Sequence, residues 1–231
     1  RRIELLPPDT MKLLTLGAIL GKEFSLDVVT HLAECETSDA VRFLDLARDR
    51  NLIWARADGA RFVFIHDQIR AASLRRASET TLRSLHLKAA EYYEREHPDQ
   101  VSSIAYHYDQ ADETQQATKF ALLAAEQARQ QFSLEIAEEQ FRIAQRGAES
   151  VTEDVLFRIA EGLGDTLMLR GKYAEAELLF DEAARLAEGD LARAKVQMKQ
   201  ADLWFKRGDM ERATVGFERT LRTLGWYLPN N

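Results

Sequence analysis

His66 and Asp67 are the residues of this chain whose types and position suit chemistry. They stand where the run Phe62-Val63-Phe64-Ile65, β-branched and aromatic, gives way to the helical spacing of Gln68, Ile69 and Arg70. An imidazole at such a corner projects beside the free N–H groups of a helix N-terminus, a setting that suits an anion such as phosphate. Asp67 fits the same end, because a carboxylate there accepts orphan N–H groups and meets the positive pole of the helix dipole. The plainer role for His66 is a cap or a hydrogen-bonded core histidine.

Other constellations fall short. Gly17-Ala18-Ile19-Leu20-Gly21-Lys22 has the outline of a phosphate loop, but its glycines are one residue too close, and Glu23 stands where a magnesium-binding Ser or Thr is needed. His31 and Cys35 lie four apart and share a helical face, yet two ligands do not close a metal site, so core and surface roles account for them. His107 reads as a packed residue. His66-Asp67 also lacks the further His and Asp ligands of metal phosphohydrolases. No Ser-His-Asp, Cys-His or paired-carboxylate arrangement stands out, so the segment is expected not to be an enzyme and to hold no cofactor or metal of its own.

Behind the corner, Leu52-Ile53-Trp54 and Phe62–Ile65 bracket Ala57-Asp58-Gly59-Ala60, where Asp-Gly tolerates positive φ. This predicts a two-stranded antiparallel hairpin. Such a hairpin is marginal alone, so an apolar face including Trp54 and Phe62 or Phe64 must rest on helices, making it a wing and not a sheet.

Leu5-Leu6-Pro7-Pro8 reads as extended. Asp9 or Thr10 caps a buried helix to about Leu20, Ser25 or Asp27 opens a second with Val28, Val29 and Leu32, and Thr37-Ser38-Asp39 opens a third. In a DNA reader that third helix would enter the groove, but Arg42, Arg48 and Arg50 are matched by Asp39, Asp45 and Asp49. A fourth helix runs from Gln68 to about Ala77, and Thr80 or Thr81 opens a fifth with Leu82, Leu85, Ala89, Tyr92 and Tyr93 in one stripe. Arg70, Arg75, Arg76 and Arg83 make its outer side basic, either a solvated face or a surface toward a nucleotide or an acidic partner. Glu96-His97-Pro98-Asp99 stops the helix and divides the chain into 1–98 and 99–231.

The second part repeats. Aligning Ala137, Ala176 and Ala213 puts Phe141, Phe180 and Phe217 four residues later, and Ala144, Ala183 and Thr220 three beyond those. Such spacing fits helix-pair repeats, with Ile104–Tyr108 as a degenerate lead-in helix. The middle copy, with Gly164, Leu167, Gly171, Tyr173, Ala176, Phe180 and Ala183, matches the tetratricopeptide pattern, and the third keeps Ala201, Trp204, Gly208, Ala213 and Phe217. The first has Phe132 where the turn glycine is expected. The fold class expected is therefore mainly α: a winged-helix domain with a two-stranded hairpin, then an α-solenoid of tetratricopeptide-like pairs.

Net charge is −7, split −1 over residues 1–100 and −6 over 101–231, so neither part has the basic excess of a nucleic-acid binder. A single cysteine among 231 residues excludes an internal disulfide and fits a reducing compartment. No apolar run is long enough for a membrane span, and Arg1-Arg2 lacks the apolar region of a signal peptide, so a cytoplasmic location is expected. A first residue other than Met suggests a segment of something longer.

Phe64-Ile65-His66-Asp67-Gln68-Ile69-Arg70, after a wing, resembles the Met-His-Asp signature of STAND-type signalling NTPases, which include plant resistance receptors and apoptosome ATPases. It is closer still to the Phe-x-His-Asp-x-Ile-Arg run of large bacterial signalling ATPases, in which a nucleotide-binding domain precedes a winged helix and helical repeats. Ile65 stands where the receptor motif has Met, an apolar exchange. Leu20–Leu26 and Leu221–Pro229 are similar to further stretches of those proteins. The resemblance implies that His66 contacts the phosphates of ADP held by an upstream domain, with Asp67 and Arg70 beside it, and that the repeat groove receives a protein or small-molecule signal. The other function classes are a DNA-binding regulator with a repeat arm and a plain interaction scaffold.

Overall fold

The computed structural model describes residues 6–226, so Leu5, Arg1-Arg2 and the stretch Tyr227-Leu228-Pro229 lie outside the described residues. The chain is mainly helical and forms two compact units, one ending at Glu113 and the other starting at Thr114.

In the first unit α1 (Pro8–Leu20) is the central post, with Leu13, Leu14, Leu16 and Ile19 buried. Pro8 at its start has a fixed φ and needs no N–H partner there. A short strand β1 (Glu23–Ser25) leads to α2 (Leu26–Ala33) and α3 (Thr37–Asp49). Then come β2 (Ile53–Ala55), β3 (Arg61–Phe64), α4 (Asp67–Leu74), α5 (Glu79–Glu96) and α6 (Val101–Gln110). The hairpin forms at the expected place, with Gly59 at φ 67 and Asp58 Oδ1 accepting from Ala60 N at 3.0 Å.

Three expectations need correction. The sheet has three antiparallel strands in the order β1-β3-β2, because Glu23-Phe24-Ser25 pairs with Val63-Phe62-Arg61. Trp54 is 55% exposed, since the two-residue period turns Ile53, Phe62 and Phe64 inward and leaves Trp54 opposite Val63 on the outer side. Phe24 replaces it in the core, with its ring centroid 5.9 Å from Phe62 and 5.4 Å from Phe64. Gly17 belongs to this packing: a Cβ there would lie 2.7 Å from the Phe24 ring. Gly17 of the phosphate-loop lookalike thus serves an aromatic contact, and Gly21 takes φ 138 where α1 ends. The fifth helix begins at Glu79, earlier than expected, because Ser78 is the cap and its Oγ accepts from Thr81 N at 3.1 Å.

The second unit stacks three helix pairs: α7 (Thr114–Gln130) with α8 (Leu134–Arg146), α9 (Glu153–Leu169) with α10 (Tyr173–Leu186), and α11 (Gly189–Lys206) with α12 (Met210–Thr223). Ala137, Ala176, Ala213, Phe141 and Phe180 are buried, as the spacing implied, and the stacking of neighbouring pairs makes the core continuous. Gly162 and Gly164 admit the Phe141 and Phe180 rings, which an added Cβ would meet at 2.3 and 2.7 Å. Phe132 takes φ 57 in the turn where Gly171 and Gly208 take 76 and 82, so the first copy keeps the turn without the glycine.

Candidate functional site

The corner at His66 is fixed on both sides. Phe64 N donates to Lys22 O at 2.9 Å and Ile65 N to Leu52 O at 3.1 Å, while the Phe64 ring is fully buried. His66 is the extended residue before α4, exposed, and its side chain makes no capping hydrogen bond. Asp67 is exposed too, with Oδ1 4.0 Å from Lys22 Nζ. Arg70 does not join them. It is half-buried, donates from Nε to Ala18 O at 2.8 Å, and lines a separate cavity of about 340 Å³ with Arg83, His86, Tyr106 and Asp112. The fit to a phosphate therefore rests on the His66 ring and the first N–H groups of α4.

One wall of that cavity belongs to a buried histidine pair. His86 of α5 and His107 of α6 face each other with Nδ1 atoms 2.9 Å apart, one donating and the other accepting. Burial, with Arg70 nearby, pushes the His86 pKa down to about 4, and burial with His86 alongside pushes His107 down to about 3. Both rings are neutral at pH 7. His107 was legible as a packed residue, whereas His86 was missed, although it falls within the stripe formed by Leu82, Leu85 and Ala89. His31 accepts from Arg95 Nη2 at 3.1 Å and packs on the Tyr92 ring, and burial raises the thiol pKa of Cys35. Among the described residues no group of three or more His, Cys, Asp or Glu is arranged to hold a metal ion.

In the second unit α9 touches both α7 and α11, so the first helices of the pairs line one side of the stack. That side carries a ladder of ion pairs. Glu126 accepts from Arg158 at 2.8 Å, Asp165 from Arg129 at 2.9 Å and from Lys199 at 2.6 Å, and Glu161 is 2.8 Å from Lys195 and Lys199. Glu138 of α8 is buried and accepts from Arg142, Arg170 and Lys172 at 2.7 to 2.8 Å. Burial raises the pKa of Glu138 and of Glu161, but hydrogen bonds from Lys172 and Arg142, and from Lys195 and Lys199, outweigh it and hold both carboxyls below the usual range. Apart from Arg142, one helical turn from Glu138, the partners of Glu138 and Glu161 lie more than thirty positions away, where nothing in local periodicity marks them. A cavity of about 750 Å³ opens between α7 and the start of α9. No described helix is long and apolar enough to cross a membrane.

No protein-family model matches the chain, and none of the curated proteins matches it. Among solved structures, it is similar to a Signal Transduction ATPase with Numerous Domains (STAND) protein with a tetratricopeptide repeat sensor from Pyrococcus horikoshii. The identity is 11% and the TM-score 0.44, over 96% of this chain and 45% of that one, so the chain spans less than half of that structure's length. It is also similar to BtubC from P. vanneervenii, with 15% identity and a TM-score of 0.44 over 84% of each chain.

Proposed function

We propose that this chain is the regulatory and sensing segment of a STAND-like signalling ATPase. In this reading the first unit is a winged-helix domain that latches an ADP-bound nucleotide domain through His66, and the repeat arm receives the signal. The observation that carries it is the exposed His66 ring, fixed where β3 hands over to α4 and engaged in no cap of its own. The element order α1-β1-α2-α3-β2-β3 with sheet order β1-β3-β2 supports a winged helix. The segment performs no chemistry itself; ATP and ADP belong to the domain ahead of it, and signal binding favours release to the extent that it prefers the open state. Pairing of Arg42 with Asp39 at 2.9 Å and of Arg48 with Asp45 at 3.0 Å supports this reading over DNA binding, since both cations on α3 are already neutralised.

The test is nucleotide retention by the full-length protein. Wild type is expected to purify with ADP, and His66→Ala to lose most of it while keeping its fold. Equal retention in both would remove the latch, and salt-sensitive DNA binding lost on replacing Arg42 and Arg48 would favour the regulator of transcription instead.

A further inference from the structure

We propose that the cavity between α7 and the start of α9 binds a small amphiphilic carboxylate, its acid group held by Lys119 and its apolar body laid against Leu122 and Val155. The inference deepens the sensing half of the proposed function and is independent of the latch at His66.

The cavity is built into the repeat stack by its connections. α10 passes to α11 through Ala187 and Glu188 alone, whereas α8 ends at Arg146 and α9 starts at Glu153, with a turn of 3-10 helix at Ala148–Ser150 between. The longer connection is seated directly on α7. A Cβ on Gly147 would lie 1.8 Å from Thr118 Oγ1, and that hydroxyl donates to Thr114 O at 2.9 Å. The connection therefore forms a wall, with Val151 and Thr152 facing the cavity across from α7. The volume of about 750 Å³, open on one side to solvent, lies in the range of small-molecule sites, roughly 300–1,000 Å³.

The lining sets the ligand class. Leu122 is buried at the base and Val155 half-buried beside it, while Leu123, 43% exposed, is an apolar rim with no cover. Gln115, Gln116 and Thr118 supply hydrogen-bonding groups from α7. The charged lining residues are Lys119 and Arg158, with no carboxylate among them, although the chain from Thr114 onward has 16 Lys+Arg against 19 Asp+Glu. The cavity is thus positive in an acidic unit. Arg158 is already bonded to Glu126 at 2.8 Å, so Lys119, whose Nζ lies 4.8 Å from the Phe120 ring centroid, is the cation left to meet an anion. A cationic ligand would meet Lys119 with like charge and find no acid among the lining residues, whereas a neutral apolar one would gain nothing from the Lys119 charge.

The test is calorimetric titration of the chain with octanoate, octylammonium and acetate, below micellar concentrations. Octanoate is expected to bind saturably at one site, with octylammonium and acetate at least tenfold weaker. Lys119→Glu, a change at an exposed position, is expected to weaken octanoate about tenfold and to reverse the headgroup preference. Val155→Trp, with helicity checked by circular dichroism, is expected to abolish binding by filling the cavity. Equal affinity for the two headgroups, octanoate binding unchanged in Lys119→Glu, or no saturable octanoate binding would overturn the proposal. None of these outcomes touches ADP retention in His66→Ala, which reads the latch separately.

Discussion

At the scale of the residue, the His86–His107 pair couples protonation to folding. Buried rings that share one Nδ1 hydrogen tolerate no second proton between them, and burial holds both in the neutral form, at about 4 and about 3. The unfolded chain takes up these protons near pH 6.5 and the native chain does not, so stability is full above about pH 6.5 and falls as the pH drops toward about 4. The urea midpoint is accordingly expected to decline between pH 6.5 and 5. The double variant His86→Leu/His107→Leu should flatten that slope, since removing both partners leaves no orphaned buried nitrogen. A slope unchanged in the double variant would assign the effect to other groups. Glu138 works in the same sense over a lower pH range. Its pKa is held down, so its share of stability is present above about 4.5 and lost as the pH falls further. Glu138→Ala, which strands Arg142, Arg170 and Lys172, is expected to lower the melting temperature at pH 7 and to lose that penalty in acid.

At the scale of the element, the turns and close contacts of the repeats carry the sharpest tests. Phe132 is 81% exposed and holds a left-handed φ of 57 that costs a side-chain-bearing residue about 1–2 kcal/mol. Phe132→Gly relieves that cost but gives the unfolded chain more freedom, for a net gain of about 0.5–1 kcal/mol. Chemical denaturation measures it directly, and a loss of stability would mean that the ring has a packing role. Gly162 is where α8 and α9 meet. Gly162→Ala puts a methyl 2.3 Å from the Phe141 ring and should destabilise by about 1–3 kcal/mol. Combining it with Phe141→Leu should cost less than the sum of the two single changes, as expected of residues in direct contact. Fully additive costs would place the strain elsewhere.

At the scale of the whole molecule, the two units have separate cores. Phe64 is fully buried in one and Phe180 in the other, and Phe64→Ala and Phe180→Ala are each expected to cost about 3–5 kcal/mol. Their effects should add in the double variant, as measured by denaturation with both units followed by circular dichroism; strong non-additivity would mean that the cores are not independent. The sequence by itself determined the helices, the hairpin with its Asp58-Gly59 turn, and the repeat register from the spacing of Ala137, Ala176 and Ala213. All of these follow from periodicity within a few turns of chain, where apolar residues must recur on one side to be buried. Only the tertiary structure decided that Glu23–Ser25 joins the sheet, that Phe24 and not Trp54 fills the core, that His86 meets His107, that Arg70 turns from His66 to Ala18, and that Gly147 seats a turn on Thr118 to open a cavity. Each of those depends on which residue from a distant part of the chain arrives opposite, and the free energy of that meeting is absent from any local pattern.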